Sequence, residues 1–275
     1  MMTMTREDNA CGPTTPETSA KISIRDLHYS VDGFDILKGI TLDIEPGEIL
    51  CVMGLSGSGK STLTRCIAGL IKPTQGELRI DGEDIVPMTE TQLLRVRAKI
   101  GVVFQYAALF DSMNVFENIA FGIQRGPRRA ENRRMPRREL ARRVAELLRS
   151  VGLAGIERRM PAELSGGMRR RVGLARALAT QPDIVLYDEP TSGLDPVTAA
   201  SIDALILATR KEQCATSIVV SHDMGSIYRV ADKIIMIYEG RIQAYGTPRE
   251  IMETTDPIVR QFITGAVDGP IQVKK

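Results

Sequence analysis

The spacing of apolar positions changes along the chain, and each change predicts a different kind of element. Apolar and polar residues alternate over 22–27, which is typical of a half-buried strand, and strand-like stretches follow over 36–44 and 76–80. From about Asn114 to Thr180 the spacing becomes helical. One apolar stripe in that part is formed by Leu140, Val144, Leu147, Leu148 and Val151. We therefore predict β-structure first and helices in the middle of the chain.

Four short, largely apolar runs show no alternation. They cover residues 48–53, 100–104, 183–188 and 217–221. Such runs are typical of strands in a parallel sheet that is covered on both faces. A hairpin is predicted for 233–244, with its turn at Glu239-Gly240. The predicted fold class is α/β, with an N-terminal antiparallel β subdomain and a helical subdomain inserted at about 106–180.

Composition narrows the class of protein. Of the 275 residues, 43% are hydrophobic and 25% are charged, which is ordinary for a globular protein, and the net charge of +2 argues against a general polyanion binder. The four cysteines lack C-x-x-C spacing, which argues against a zinc site or a disulfide framework and favours a reducing compartment. No apolar run reaches the ~18 residues of a membrane span. Residues 1–20 are polar, so we expect a disordered tail rather than a signal peptide, and a cytoplasmic location.

The stretch 54–62, GLSGSGKST, fits the phosphate-binding pattern G-x-x-x-x-G-K-[ST]. A predicted strand precedes it and a helical pattern follows from Ser61 to Leu70, as the pattern requires. Backbone N–H groups of such a loop converge on a phosphate at the positive end of the helix. Lys60 is then expected to contact the β- and γ-phosphates, and the Ser61 hydroxyl to ligate Mg²⁺. A glycine-rich turn that binds nothing is the alternative.

We therefore expect a P-loop NTPase (RecA-like) core that binds ATP. The residues expected to contact ATP in this stretch are Gly54, Ser56, Gly57, Ser58, Gly59, Lys60, Ser61 and Thr62.

Two carboxylates, Asp188 and Glu189, end the third apolar run. Nucleotide hydrolysis needs a carboxylate near Mg²⁺ and a group that orients and deprotonates the attacking water. Asp188 suits the first role and Glu189 the second, and a solvated strand end is the alternative. His222 follows the fourth run, and open α/β sheets bind ligands at the carboxyl ends of their strands. A lone histidine is more often structural, but this position favours a functional one.

A second glycine-rich stretch, LSGGM at 164–168, opens an amphipathic helix. Ser165 is a good N-cap, and Gly166 and Gly167 expose backbone N–H groups at a positive helix end. We interpret this stretch as a second phosphate site, with an ordinary helix cap as the alternative.

Taken in order, these motifs resemble those of the ATP-binding subunits of ABC transporters, from about Ile22 to Gly246. The ordered set comprises 54–62, Gln105, LSGGM at 164–168, IVLYDE at 184–189, SGLD at 192–195 and His222. The resemblance implies that two copies pair head to tail. Each ATP would then lie between one phosphate loop and the Ser165-Gly166-Gly167 stretch of the other copy.

The resemblance also implies individual roles. Gln105 would sense the γ-phosphate and help to hold Mg²⁺, Asp195 would link the two sites, and His222 would hold the γ-phosphate and the attacking water. Two positions depart from the family pattern: Met168 replaces the usual glutamine, and Val31 stands where an adenine-stacking aromatic is usual. Nearby aromatic alternatives for the base contact are Tyr29 and Phe34.

Three further stretches, at 105–118, 160–163 and 256–270, resemble the Mla-type phospholipid transporter ATPases. This resemblance implies ATP-driven phospholipid transport at the cytoplasmic face of the inner membrane. It also implies a permease dimer, an MCE-domain lipid-binding protein and sometimes a small STAS-domain subunit as partners. The groove after Gln105 would receive the permease's coupling helix. Its expected apolar lining is Tyr106, Leu109, Phe110 and Met113.

The sequence also leaves alternatives to phospholipid transport. An ABC ATPase for another substrate is the nearest alternative, and a soluble ABC ATPase of DNA repair or translation is the second. Repair ATPases separate the two motifs by a long coiled coil, whereas about a hundred residues without sustained heptads separate Lys60 from Ser165 here. Translation factors carry two such domains, and a small-molecule kinase lacks the LSGGM helix.

Residues 125–149 hold ten Arg and three Glu. Anionic headgroups or nucleic acid are conceivable partners for them. We favour a solvated helix face, because no aromatic for base stacking is interleaved, and we expect no nucleic-acid partner.

The expected division of the chain is a tail over 1–20, an ABC domain over 21–255 and a C-terminal docking tail over 256–275. In that tail the apolar positions follow a helical spacing after Pro257. They are Ile258, Val259, Phe262 and Ile263. An apolar face must be buried, and we expect it on a second copy or an accessory partner, with the chain's own core as the alternative.

Overall fold

The computed structural model describes residues 20–126 and 135–272. Its strands are β1 Ile22–Val31, β2 Phe34–Ile44, β3 Ile49–Met53, β4 Gln75–Ile80, β5 Glu83–Asp84, β6 Ile100–Val103, β7 Ile184–Asp188, β8 Thr216–Val220, β9 Lys233–Tyr238 and β10 Arg241–Gly246. Its α-helices are α1 Lys60–Ile67, α2 Glu90–Arg97, α3 Val115–Arg125, α4 Arg137–Ser150, α5 Gly166–Leu178, α6 Pro196–Gln213, α7 Met224–Val230, α8 Pro248–Met252 and α9 Pro257–Thr264. In this part of the chain, no helix has the length and apolarity that a membrane crossing needs.

A six-stranded sheet forms the centre of the molecule, with the strand order β10-β9-β3-β8-β7-β6. Its pairs are parallel except β10 with β9, which form the predicted hairpin. Both faces are buried: Ile49 and Cys51 of β3 belong to one apolar cluster, whereas Leu50 and Val52 belong to another. The prediction that the unbroken apolar runs form a sheet covered on both faces is therefore confirmed.

The N-terminal β subdomain is a four-stranded antiparallel sheet with the order β2-β1-β4-β5. Ile22, Ile24 and Leu27 of β1 are fully buried, and the register shifts between Ile24 and Leu27. The irregularity contains Asp26, which has φ of +46°. These side chains share an apolar cluster with α1 and with one face of the central sheet, so the two sheets sandwich a common core.

The helical subdomain consists of α3, α4 and α5, which pack on one another, with α5 also packed against β6. The predicted stripe is confirmed, because Leu140, Val144 and Leu148 are buried while Arg138 and Arg142 are exposed. Residues 127–134 of the arginine-rich segment lie outside the described residues, as do residues 1–19 of the tail predicted over 1–20.

Some sequence predictions need correction. The helix after the phosphate-binding stretch ends at Ile67, and Leu70 is exposed, because Gly69 turns the backbone to φ of +63°. β6 ends at Val103 rather than Phe104 and lies at the sheet edge, which leaves Phe104 exposed. Among the cysteines of the described residues, Cys51 and Cys66 are buried and free.

The C-terminal segment returns to the body of the chain. Asp256 caps α9 by accepting hydrogen bonds from two backbone N–H groups, and Val259 is fully buried in the main apolar cluster. The other three residues of the predicted apolar face are partly buried against the same cluster. This packing matches the alternative of burial on the chain's own core. Docking on a partner remains a prediction for the part of the tail over 256–275 that stays exposed, such as Val267.

Candidate nucleotide-binding site

The phosphate loop, residues 54–62, joins β3 to α1 at the carboxyl edge of the central sheet. Gly54 has φ of +143°, and a Cβ there would lie 2.2 Å from the carbonyl oxygen of Ile237. Gly59 has φ of +108°, and its Cβ would lie 2.8 Å from a methyl carbon of Leu37. Glycine is therefore required at both positions for the loop to rest against β9 and β2.

Lys60 begins α1 and folds back over the loop. Its Nζ donates hydrogen bonds to the carbonyl oxygens of Gly54 and Leu55, each at 2.8 Å. Burial lowers the pKa of Lys60, while the charges of Glu189 and Asp188 act in the opposite direction. The ammonium group is thus held at the loop, within electrostatic reach of the predicted base Glu189 and the predicted metal ligand Asp188.

The hydroxyl side chains of the loop differ in accessibility. Ser56 and Ser61 are exposed, whereas Ser58 is buried, and its Oγ has no hydrogen-bond partner in the described part of the chain. An unpaired buried hydroxyl is unfavourable by ~1–3 kcal/mol, so it indicates a group that has its partner in another state. A phosphate oxygen of a ligand bound by this loop would accept a hydrogen bond from the Ser58 hydroxyl.

Asp188 and Glu189 lie at the same edge of the sheet as the phosphate loop. Asp188 pairs in register with Val220 of β8, which in turn pairs with Val52 of β3. Burial raises the pKa of Asp188, and the neighbouring charge of Glu189 raises it further. A bound cation would relieve this repulsion.

The structure supports a metal ligand role for Asp188 only together with other oxygen donors. Among the residues that the structure describes, no group of three or more His, Cys, Asp or Glu side chains could hold a metal ion. The predicted Mg²⁺ set has a different composition, with one hydroxyl (Ser61), one amide (Gln105) and one carboxylate (Asp188). This composition fits a Mg²⁺ that arrives with a nucleotide and takes most ligands from phosphate and water.

The structure brings Glu189 and His222 together. The Nδ1 of His222 lies 2.7 Å from an Oε2 of Glu189, whose side chain is 17% exposed compared with 62% for His222. The backbone of Glu189 has φ of +51°, an unusual value for a residue with a Cβ, and its N–H donates to the carbonyl of Val220 at 2.9 Å. Such a conformation is found where the surrounding structure enforces it, often in active sites.

Gln105 follows β6 and reaches the loop that follows β7. Its Nε2 donates to the Oγ of Ser192 at 3.4 Å, and the residue is half-buried. The structure therefore places Gln105 beside the segment that leads out of Glu189, between the central sheet and the helical subdomain.

Ser165 and Asp195 cap two neighbouring helices. Ser165 Oγ accepts from the N–H of Met168 at 3.2 Å, and Asp195 Oδ1 accepts from the N–H of Thr198 at 2.9 Å. A Cβ on Gly167 would lie 2.8 Å from a methyl carbon of Thr198, so the two helix starts touch. Hydrogen bonds from Thr198 lower the pKa of Asp195.

Ser165, Gly166 and Asp195 are exposed, and nothing lies within 4 Å of a Cβ on Gly166. In the described part of the chain, no hydrogen bond joins Ser165, Gly166 or Gly167 to the phosphate loop. The first predicted phosphate site is thus assembled within one chain, whereas the second faces outward.

The position predicted for the adenine contact lies on the β1–β2 hairpin. Val31 and Phe34 pair across its turn, and Phe34 is 77% exposed, whereas Tyr29 packs against the core. Two residues further along the same strand, the carbonyl oxygen of Ile36 lies 3.1 Å from a Cβ placed on Gly59. The exposed aromatic is thus on the strand that contacts the phosphate loop.

The predicted groove after Gln105 is partly as expected. Tyr106 and Phe110 are exposed, and Phe110 packs on Phe121 with ring centroids 5.0 Å apart, whereas Leu109 packs against the core. Arg176 donates to the carbonyls of residues 107 and 108 and lies over the Phe110 ring. The apolar surface is therefore presented by a tightly held loop.

The contacts of two polar side chains in this region were not predicted from the sequence. Asn118 accepts from the N–H of Phe110 and donates to its carbonyl, and Arg170 of α5 donates to the carbonyl of Gln105. The only available signal was a polar side chain at an otherwise buried helix position, which does not by itself identify a partner.

The chain matches a family model and several known proteins. Residues 37–192 match the family model described as ABC transporter. The chain is 39% identical over 250 residues to the intermembrane phospholipid transport system ATP-binding protein MlaF of Escherichia coli (strain K12), covering 91% of this chain and 91% of MlaF. It is 38% identical over 272 residues to Protein TRIGALACTOSYLDIACYLGLYCEROL 3, chloroplastic, of Arabidopsis thaliana, covering 93% of this chain and 77% of that protein.

The name of a third relative states a different transported substrate. The chain is 40% identical over 251 residues to the probable ribonucleotide transport ATP-binding protein mkl of Mycobacterium leprae (strain TN), covering 91% of this chain and 70% of mkl.

Solved structures with the same fold include cbiO1 from Clostridium perfringens, part of the ABC transporter complex cbiONQ. That structure has a TM-score of 0.77 and 30% identity, covering 91% of this chain and 96% of cbiO1. The dimeric, post-hydrolysis ATP-binding cassette MJ0796 bound to ADP and Pi has a TM-score of 0.75 and 32% identity, covering 83% of this chain and 99% of that one.

Proposed function

Because the chain belongs to the ABC transporter family, we propose that it is the ATP-hydrolysing subunit of a transporter that moves phospholipid through a membrane permease. The observation that carries the hydrolytic part is the cluster at the carboxyl edge of the sheet. There Glu189 contacts His222 at 2.7 Å, and its charge acts on the pKa of Lys60.

Each residue of this cluster has a chemical role in the proposal. The N–H groups of the phosphate loop and Lys60 bind the phosphates, and Ser61, Gln105 and Asp188 hold Mg²⁺. When bound, the ion would neutralise the negative charge that develops on the phosphates during transfer. Glu189 orients the attacking water and accepts its proton, and His222 fixes the carboxylate of Glu189 and faces the γ-phosphate.

A second copy of the chain completes the site in this proposal. Ser165, Gly166 and Gly167 offer a hydroxyl and backbone N–H groups at the positive end of α5, where Ser165 and Gly166 are exposed. The neighbouring Asp195 and the exposed Val197 would join the same interface. The dimeric state of the related cassette MJ0796 supports this arrangement.

The base of ATP stacks on Phe34 in this account. Phe34 is an exposed aromatic on the strand that contacts the phosphate loop, and stacking on an aromatic face is favourable for any base. Tyr29 is set aside because its side chain is partly buried in the core of the antiparallel sheet.

The permease contact is assigned to the groove after Gln105. Tyr106 is 85% exposed, and the Phe110–Phe121 pair beside it is held by Arg176 and Asn118. A rigid, exposed aromatic surface is typical of a protein-binding site. The chain would then sit peripherally at the cytoplasmic face of the inner membrane, with an MCE-domain protein and a STAS-domain subunit as further components. The tail over 256–275 would contribute its exposed residues to that assembly.

Phospholipid is favoured as the cargo by the name of MlaF and by the resemblance of 105–118 and 160–163 to that branch. Ribonucleotide transport is a second candidate, because the name of the mkl relative states it.

One experiment separates these cargoes. The intact complex, captured through this chain from its native membrane, is analysed for bound lipids and nucleotides, and its ATPase is then measured with each added. Co-purified phospholipid that stimulates ATP hydrolysis supports the proposal. Stimulation by ribonucleotides other than ATP, with no enrichment of phospholipid, would replace phospholipid with the second candidate.

A further inference from the structure

One arginine joins three separate segments around the candidate site. Arg170 lies in the first half of α5, and its Nε donates to the carbonyl oxygen of Gln105 at 3.1 Å. Its Nη2 donates to the carbonyl oxygen of Ser192 in a short hydrogen bond. The helix that begins after Ser165 is therefore tied to the loop after β6 and to the loop after β7.

The two loops are also joined to each other. The Nε2 of Gln105 donates to the Oγ of Ser192 at 3.4 Å, which closes a triangle between Arg170, Gln105 and Ser192. Gln105 is thus held through its main chain by Arg170 and through its side chain by Ser192. A displacement of α5 would alter both hydrogen bonds of Arg170 at once.

The surroundings of Arg170 are unusual for a cation. The partners of its guanidinium in the described residues are neutral carbonyl oxygens rather than a carboxylate, and its Nη1 is buried without a partner there. Burial lowers the pKa of Arg170, with a small opposing contribution from Tyr106. A half-buried cation without a facing anion is energetically unfavourable, so packing alone does not explain an arginine at this position.

The neighbouring arginines of α5 have different environments. Arg169 is exposed, whereas Arg171 donates from Nη2 to the Oγ of Ser201 on α6 at 2.6 Å. Arg170 is thus the member of this trio that reaches the two loops, and Arg169 offers a matched control on the same helix.

We propose that Arg170 is a positioning residue that fixes Gln105 for the nucleotide and links it to the start of α5, where Ser165 lies. The inference rests on the proposed function, because it assigns Gln105 to the γ-phosphate end of ATP. Through Arg170, a shift of Gln105 on γ-phosphate binding is transmitted to Ser165. Arg170 itself does not touch the reacting atoms.

The test is a double-mutant cycle in the full-length chain, with Arg170→Met, Gln105→Ala and both changes together. Methionine retains most of the apolar stem and removes the donors. We expect Arg170→Met to lower kcat by ~10- to 100-fold, as expected for a misplaced group, and to leave ADP affinity unchanged. The double variant should have the turnover of Gln105→Ala alone, because Arg170 acts by positioning the Gln105 side chain, which that variant already lacks. Arg169→Met should match the wild type.

Three results would overturn the inference. These are equal losses of ADP and ATP-analogue affinity with a lower Tm, full additivity with Gln105→Ala, or equal effects of Arg170→Met and Arg169→Met. If Arg170→Met does not fold, Arg170→Gln is used in the same cycle. If the wild type hydrolyses no ATP, the proposed function fails separately, and the cycle is then evaluated from the affinity for a non-hydrolysable ATP analogue in place of kcat.

Discussion

The two halves of the candidate site differ in how much of each is built within one chain. At the carboxyl edge of the central sheet, Lys60 and Glu189 are half-buried and are held by contacts from β3, β7 and β8. At the start of α5, Ser165 and Gly166 are exposed and contact little beyond their own helix cap. The first half therefore has its geometry without a partner, whereas the second becomes a ligand site only when another surface faces it.

Replacing the catalytic carboxylate should give the largest effect and lies wholly in the first half. Glu189→Gln keeps the size of the side chain but cannot accept a proton, so turnover should fall by ~10²- to 10⁴-fold while ATP binding persists. Phosphate release and equilibrium ATP binding, measured on the same preparation, separate the two effects. Near-normal turnover would remove Glu189 from the role of base.

A charge in the groove after Gln105 should break coupling while leaving both halves of the site intact. Phe110→Asp removes an exposed aromatic contact, and a loss of ~2 kcal/mol or more in permease binding, or about 30-fold, is expected for such a residue. Transport in the reconstituted complex is compared with ATPase activity of the free chain. The control is Leu94→Asp, at an exposed apolar position on α2. A large drop in Tm for Phe110→Asp alone would indicate that the side chain supports the fold instead.

Removing the exposed aromatic of the hairpin should weaken nucleotide binding moderately. Phe34→Ala is expected to reduce ATP and ADP affinity by ~1–2 kcal/mol, or about 5- to 30-fold, because base stacking is lost and phosphate contacts remain. Inorganic pyrophosphate affinity, which involves no base, should not change, and Leu94→Ala serves as the control. Unchanged ADP affinity in Phe34→Ala would show that the base lies elsewhere.

The smallest effect is expected far from both halves, where Asp81 accepts from Lys21 at 2.7 Å and from Lys99 at 2.5 Å. Burial raises the pKa of Asp81, but the two lysine hydrogen bonds outweigh it and hold the pKa below its ordinary value. The contacts of Asp81 with the two lysines therefore make their full contribution to the free energy of unfolding above the unfolded-state pKa of about 3.9. This contribution is lost as pH falls through the folded-state pKa.

Asp81→Asn should accordingly lower the free energy of unfolding by ~1 kcal/mol at pH 7, without any change in ADP affinity. The difference from the wild type should shrink below about pH 4, as measured by denaturant unfolding. Asp111→Asn, at an exposed position, is the control. A difference that stays constant down to pH 2 would argue against the charge interaction.

Much of the first half was predictable because its chemistry lies in contiguous residues. The pattern over 54–62 requires a strand before it and a helix after it, and the structure has both. The sequence placed Glu189 and His222 each at the end of a strand, and the β7–β8 register then brings the two side chains together.

Other features depend on contacts that local sequence does not encode. Arg170 could not be distinguished from Arg169 and Arg171, because its role depends on where the loops at Gln105 and Ser192 lie. The apolar face of α9 could be recognised, but its burial on the chain's own core could not, since periodicity identifies a face and not the surface that covers it.

The most direct test of the composite site mixes two chains that are each inactive. Lys60→Ala removes the phosphate-loop half and Ser165→Arg blocks the half at α5, so neither homodimer retains a complete site. A mixed dimer retains one complete site, and random mixing should restore roughly a quarter of the wild-type ATP-binding and ATPase sites. Recovery at that level, with one ATP per mixed dimer, is the predicted result. Proven mixed dimers that neither bind nor hydrolyse ATP would contradict the claim that two copies build the site.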